Sequence, residues 1–204
     1  MRTLFFTLLI FLSATASSQD RKILDKLCQE IQNSCVTMDY TYSARVSGIN
    51  YDGSGTLISQ GQMWKVVGNG IEMYCDAKSV WVIDRTAKEV VIEPVSDQKA
   101  GVLANPARVF LDLGESFDIS AVVSSGDSKA LIYSLVPKSD TDVDYLNVEV
   151  LKESSLIRRM SFALADGTMV KIEVNSMKLT PDVADDMFRV QEKFDSRWIV
   201  TDLR

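Results

Sequence analysis

Residues 36–47 read Val-Thr-Met-Asp-Tyr-Thr-Tyr-Ser-Ala-Arg-Val-Ser. Val36, Met38, Tyr40, Tyr42, Ala44 and Val46 fall on one side of an extended chain, and Thr37, Asp39, Thr41, Ser43, Arg45 and Ser47 on the other. Side chains of a strand alternate between its two faces, so this is a long strand with one buried and one wet side. Going downstream, Asp52-Gly53-Ser54-Gly55 reads as a turn, residues 56–67 as a second strand, and Gly68-Asn69-Gly70 as the next turn. Residues 71–76, 80–84 and 88–95 are three shorter strands, separated by the polar breaks Ala77-Lys78-Ser79 and Arg85-Thr86-Ala87. Hairpin-length links predict an antiparallel meander, since parallel neighbours need longer crossovers.

Upstream, the period changes to that of a helix. Ile23, Leu24, Leu27, Cys28 and Ile31 make an apolar stripe opposite Lys22, Asp25, Lys26, Gln29 and Glu30, with Asp20 as candidate N-cap and Asn33-Ser34 as the end. Arg2, the apolar run 4–12 and Ala14-Thr15-Ala16 have the form of a secretory signal, with cleavage expected after Ala16. The expectation is a signal peptide over 1–16 and one domain over 17–204, exported to the periplasm.

After residue 97 the alternation stops. Residues 98–114 carry Val102, Leu103, Ala107, Val109, Phe110, Leu111 and Leu113, with Asn105-Pro106 starting a helical turn. Strands resume at 117–123, 130–137, 144–151, 156–164 and 169–179, followed by a turn at 181–186 and terminal strand candidates at 188–190 and 197–203. Around eleven antiparallel strands strain a flat sheet. The predicted fold is therefore mainly β with few helices, an incomplete, half-open antiparallel barrel of about 11 strands under a helical lid.

The inventory of reactive side chains excludes much. The chain has no histidine, which removes Ser-His-Asp and Cys-His catalysis and the common zinc sites. It carries no nucleophile elbow and no phosphate-binding glycine loop in strand–helix context. The formal charge of −6 becomes −7 without Arg2, which disfavours nucleic acid and anionic headgroups as partners. Asp140, Asp142 and Asp144 have calcium-like spacing but lack the glycine and closing Glu of an EF-hand loop, and read as a solvated hairpin. No catalytic, metal or cofactor site is expected, and the chain is expected not to be an enzyme; a hydrolase using carboxylates alone is the disfavoured alternative. Of Cys28, Cys35 and Cys75, at least one is unpaired. A Cys35–Cys75 bridge is conceivable if their strands are neighbours, and three buried thiols is the alternative.

What remains is apolar surface. Tyr40, Tyr42, Met63, Trp64, Met73, Trp81, Met160 and Phe162 are the candidate ligand-binding residues; an ordinary core explains each alone, while a curled sheet with little helix leaves concave apolar face for the set. Leu24, Leu27 and Ile31 of the helix, with Leu103 and Phe110 of the insert, are candidate lid residues that would compete with ligand for that face.

In its order of motifs the chain resembles the outer-membrane lipoprotein carrier family. The likeness runs through Tyr42-Ser43-Ala44-Arg45, Gly53-Ser54-Gly55-Thr56-Leu57, Gln60-Gly61-Gln62-Met63-Trp64, the stretch 75–84, Asn105-Pro106 with Val109-Phe110-Leu111, Leu135-Val136-Pro137-Lys138, Leu156-Ile157-Arg158-Arg159-Met160 and residues 183–188. The resemblance implies a hydrophobic cavity for the acyl chains of lipoproteins in a monomeric periplasmic carrier. That carrier would be loaded by an inner-membrane lipoprotein-releasing transporter and emptied at an outer-membrane acceptor. A carrier or sensor of another lipid or hydrophobic small molecule is the alternative on the same fold. The family's lid-latching arginine falls near Val67, so that polar latch is absent here.

Overall fold

The structure, a computed structural model, describes residues 18–95, 113–139 and 143–204. The predicted signal peptide, the lid residues Leu103 and Phe110 with the Asn105-Pro106 helix start, and Asp140 and Asp142 lie outside the described residues. An N-terminal helix α1 (Ser18–Gln32) precedes six strands: β1 (Cys35–Val46), β2 (Ile49–Gln60), β3 (Met63–Gly68), β4 (Ile71–Cys75), β5 (Ser79–Asp84) and β6 (Glu89–Pro94). A short helix α2 (Leu113–Ser116) leads into β7 (Phe117–Ser124), β8 (Ala130–Pro137), β9 (Val143–Leu151), β10 (Ile157–Leu164) and β11 (Met169–Thr180), and the chain ends with a 3-10 turn (Asp185–Phe188) and β12 (Ile199–Asp202). Helix α1 begins at Ser18, so Asp20 lies inside it and is not the N-cap.

The strands form one open sheet in the order β12-β6-β5-β4-β3-β2-β1-β11-β10-β9-β8-β7. The mainly β, half-open architecture is as the sequence predicts, with twelve strands in place of about eleven. The extra strand comes from the predicted second one. Its residues 56–67 belong to two strands, turned at Gly61-Gln62, while Asp52–Gly55 is strand and not turn. The real β1–β2 turn is Ser47-Gly48, and the β3–β4 turn is Asn69-Gly70; all four residues have positive φ, the requirement of the two-residue hairpin turn that matches strand twist.

Two glycines that look like turn residues sit in the sheet for a packing reason. Gly55 pairs with Tyr40 and Gly53 with Tyr42. A Cβ at Gly55 would lie 2.8 Å from the Tyr40 hydroxyl, and one at Gly53 2.6 Å from the Tyr42 ring. The missing side chains leave room for the phenol rings to lie on β2.

The terminal strand departs from the meander. Only Ile199–Asp202 of the predicted 197–203 is strand, and it runs parallel to β6. More than a hundred residues separate the two, ample for the crossover a parallel pair needs. Residues 188–190 are not strand; Phe188 closes the 3-10 turn. The three cysteines are free. Cys35 on β1 and Cys75 on β4 have β2 and β3 between them, about 14 Å of sheet, well beyond disulfide reach.

Strand pairing and alternation divide the sheet into two faces. The inner face carries the main core, which joins Leu24, Leu27 and Ile31 of α1 to residues of β1 to β5 and β7 to β11. Among the described residues, the outer face of β4 to β6 has a second cluster: Tyr74, Ile83, Val90 and Ile92 are covered by Trp81, Val190, Phe194 and Trp198. Arg85 pins this C-terminal cover by pairing with Glu72 and Glu192 and lying 5.6 Å over the Trp198 ring.

The outer cluster has a titratable signature. Burial, and then the hydrogen bond its hydroxyl donates to Glu72 Oε2 at 2.9 Å, push the Tyr74 phenol up to about 12. A phenol held neutral above its ordinary value of about 10 contributes stability that is complete below pH 10 and is lost as pH rises through 12. Unfolding free energy is expected to drop across that window by at most about 3 kcal/mol. Denaturant titration of Tyr74→Phe should lack that part of the alkaline slope.

Candidate functional site

The inner face is apolar because alternate positions of β1 to β5 and β7 to β11 point to it. On β1 these are Val36, Met38, Tyr40, Tyr42 and Ala44; on β3, Trp64 and Val66; on β10, Met160, Phe162 and Leu164; on β11, Val170 and Ile172. Helix α1 covers part of this face with Leu24, Leu27 and Ile31, at most 3% exposed. Gly114 of α2 backs onto it: a Cβ there would be 3.3 Å from that of Cys28.

Beyond the helix the inner face encloses a hollow of about 290 Å³. Tyr40, Tyr42 and Ala44 line it from β1, Val66 and Gly68 from β3, Ile71 and Met73 from β4, Phe162 from β10, and Val170 and Ile172 from β11, with Ser54 and Asn69 at its edge. In a flat sheet β4 and β10, five strand spacings apart in the order, would be about 24 Å from each other. Both border one small cavity, so the sheet curls around it. Bulges in β11 opposite Asp39 and Tyr40, and in β10 between Ile157 and Arg159, supply local bends.

The hollow has one polar end. Asn69 Nδ2 donates to the Tyr42 hydroxyl at 2.9 Å, and the Tyr40 and Tyr42 ring centroids are 6.4 Å apart. Burial, and then the neighbouring Tyr42, raise the Tyr40 phenol above its ordinary value, so its hydroxyl is a neutral donor at physiological pH. Among the described residues no Lys, Arg, Asp or Glu lines the hollow, and no cluster of side chains is arranged to hold a metal.

The predicted binding residues separate into three groups. Tyr40, Tyr42, Met73 and Phe162 line the hollow together. Trp64 and Met160 share its face but are packed in the core, 3% and 1% exposed. Met63 and Trp81 are corrections: each is one residue out of phase with its inward neighbours Trp64, Val80 and Val82, and points to the outer face, where Arg204 lies 5.3 Å over the Trp81 ring. Val67 likewise is on the outer side, 38% exposed, while Val66 faces in. Of the predicted lid, Leu24, Leu27 and Ile31 are on the inner face.

Ala44, Val66, Val170 and Ile172 line the hollow without having been singled out, although strand alternation groups Ala44 with Tyr40 and Tyr42. Asn69 reads in the sequence only as a turn residue; nothing there signals a contact 27 positions away. The close fit predicts a sensitive spot. A Cβ at Gly68 would be 2.3 Å from the Ser54 backbone oxygen, and β2 and β3 would have to move apart. Gly68→Ala is expected to cost about 1–3 kcal/mol in denaturant unfolding and to weaken uptake of a fluorescent fatty-acid probe.

Comparison with known proteins agrees with this architecture. The family model described as outer membrane lipoprotein carrier protein LolA matches residues 69–191, or 123 of the 204. Its start at Asn69 leaves the quoted motifs between Tyr42 and Trp64 outside the match. An uncharacterized conserved protein from Thermus thermophilus has a TM-score of 0.55 at 14% identity, over 90% of this chain and 99% of its own. A DUF1329 family protein from Desulfovibrio piger has 0.51 at 13%, over 84% and 96%. A LolA superfamily protein from Nitrosomonas europaea has 0.47 at 12%, over 84% and 97%. At such identities the first two likenesses are of fold alone. No curated protein sequence matches the chain. With three-fifths of its length matched, and with the open sheet and helix-covered inner face described above, this chain belongs to the outer membrane lipoprotein carrier family.

Proposed function

We propose that this protein is a periplasmic carrier that holds the acyl chains of lipoproteins against its inner sheet face and moves them from the inner to the outer membrane. The carrying observation is an apolar face that α1 covers only in part among the described residues, with a hollow beyond it that the described side chains leave unfilled. Each methylene group taken out of water is worth about 0.8 kcal/mol, so several acyl chains do not cross an aqueous space unaided. A concave apolar face removes that obstacle. The apolar stripe of α1 rests on the same surface, and a helix that competes with cargo keeps affinity low enough for release. The absence of histidine disfavours Ser-His-Asp and Cys-His catalysis. Loading by an inner-membrane lipoprotein-releasing transporter and unloading at an outer-membrane acceptor complete the reading.

Native mass spectrometry of the protein purified from its own periplasm tests it. Mass increments matching acylated peptide or lipid are expected, and delipidated protein offered lipoprotein and glycolipid in turn should take up the lipoprotein. Uptake of glycolipid alone would move the reading to a carrier of another lipid. Uptake of neither, and no bound lipid, would end the carrier reading.

A further inference from the structure

We propose that the outer face of the sheet carries a second binding site, a trough beside the β1–β2 hairpin that takes one ring of an uncharged sugar. It lies on the opposite face from the hollow and stands independently of the carrier reading. The trough has a volume of about 460 Å³. Strand register explains its shape. Across β2, β1, β11 and β10 one outward row runs Asp52, Ser43, Lys171, Ser161, and the next, two residues along, runs Asn50, Arg45, Met169, Ala163. Tyr145 of β9 continues the second row beside Ala163. Rows two residues apart are about 7 Å from each other. Between them the side chains of Ala44, Val170 and Phe162 turn through to the inner face, where they are at most 8% exposed, so backbone floors the trough. Ser43, Ser161 and Ala163 are short and keep its middle open.

The chemistry of the walls decides the ligand. Among the described residues, the side chains of Arg45, Asn50, Asp52 and Tyr145 and the hydroxyls of Ser43 and Ser161 have no hydrogen-bond or ion-pair partner. Donors and acceptors therefore face the trough together. Its charges balance: Arg45 and Lys171 stand against Asp52 and Glu173, which holds Lys171 at 2.7 Å. A phosphate would meet the two carboxylates, and an amine the two cations. Tyr145 and Met169, 39% and 54% exposed, add apolar surface at one side. A pyranose ring matches all three features. It has no charge, its hydroxyls both donate and accept, and its C–H groups form a face that lies against an aromatic ring. Each hydrogen bond made here replaces one to water, so a Kd of about 1 mM is expected.

Backbone amide NMR shifts of the full chain test this, on titration with three charge forms of one ring: glucose, glucosamine in its ammonium form, and glucose 6-phosphate. Glucose is expected to bind at least about threefold more tightly than either charged form and to move the amides of Arg45, Ser161 and Lys171. Asp52→Ala and Tyr145→Ala, both at exposed positions, should each weaken glucose by about three- to tenfold, with thermal melts establishing that both variants are folded. A charged form that binds as tightly as glucose, shifts confined to residues of the hollow, or unchanged affinity in both variants would overturn the assignment. So would the absence of any shift with all three sugars. None of these failures touches the carrier reading, which concerns the other face.

Discussion

Leu27→Ala is expected to destabilise the ligand-free protein by about 3 kcal/mol and at the same time to tighten its grip on acyl chains. Leu27 is fully buried, in the middle of the α1 stripe between Leu24 and Ile31, on the inner sheet face. Removing its three distal carbons takes away transfer free energy and leaves a gap that close neighbours fill only in part. For a chain of this size the melting temperature should fall by about 6–12 °C. The binding effect has the opposite sign because helix and cargo want the same surface. Whatever free energy docks α1 must be given up when a longer ligand displaces it, so weakening the dock raises apparent affinity, by about tenfold if half the loss is recovered. Thermal melts and titration with a long-chain lipopeptide, whose acyl chains exceed the hollow, measure the two quantities. A drop in stability with unchanged or weaker binding would mean that α1 is a permanent floor of the cavity and not a displaceable plug.

Glu149→Ala is expected to cost about 2–3 kcal/mol, at the lower edge of what breaking a buried ion pair does, and to leave ligand binding alone. The Glu149 side chain is 5% exposed on the outer face of β9, with Arg158 donating to Oε1 and Arg159 3.2 Å from Oε2. Arg158 also reaches Asp127, and Arg159 reaches Glu173, which pairs with Lys171. The row ties β9, β10 and β11 together on the face away from the hollow. Both guanidiniums keep a second carboxylate and some solvent, which is why the expected loss stays below the full penalty of a stranded charge. Chemical unfolding with and without added salt checks it. A loss under about 0.5 kcal/mol would class the pair with solvated surface bridges. Together the two variants separate stability from function: both destabilise, and only the inner-face one changes binding.

The contrast between Leu27 and Glu149 marks how far the sequence could be read. Leu27 is legible, because a stripe at helical spacing has one place to go. Glu149 is not: it lies between Val148 and Val150 on a strand's polar side, and burial there depends on the bulge at Arg158 that brings two guanidiniums over it. The same holds for the hollow. Alternation along residues 36–47 put Tyr40 and Tyr42 on one face, but period two defines a pair of faces without saying which pair of neighbouring strands will share an interior. Trp64 and Trp81 look equivalent in the sequence, yet Trp64 faces in and Trp81 out.

Local pattern alone determined the long alternating strands, the amphipathic helix ahead of them, the hairpin links other than those at Ser47-Gly48 and Gly61-Gln62, and hence an open, curling antiparallel sheet. It could do so because strand and helix periods, and the left-handed turns at Asn69-Gly70, are properties of a few consecutive residues. Register across strands decided the rest: Gly53 and Gly55 as seats for phenol rings, the parallel return of β12 onto β6, the distance between Cys35 and Cys75, and the clasp of Asn69 on Tyr42 that gives the hollow its polar end. Those contacts join residues remote in the chain, and their energies come from fit between whole strands, which no short window of sequence contains.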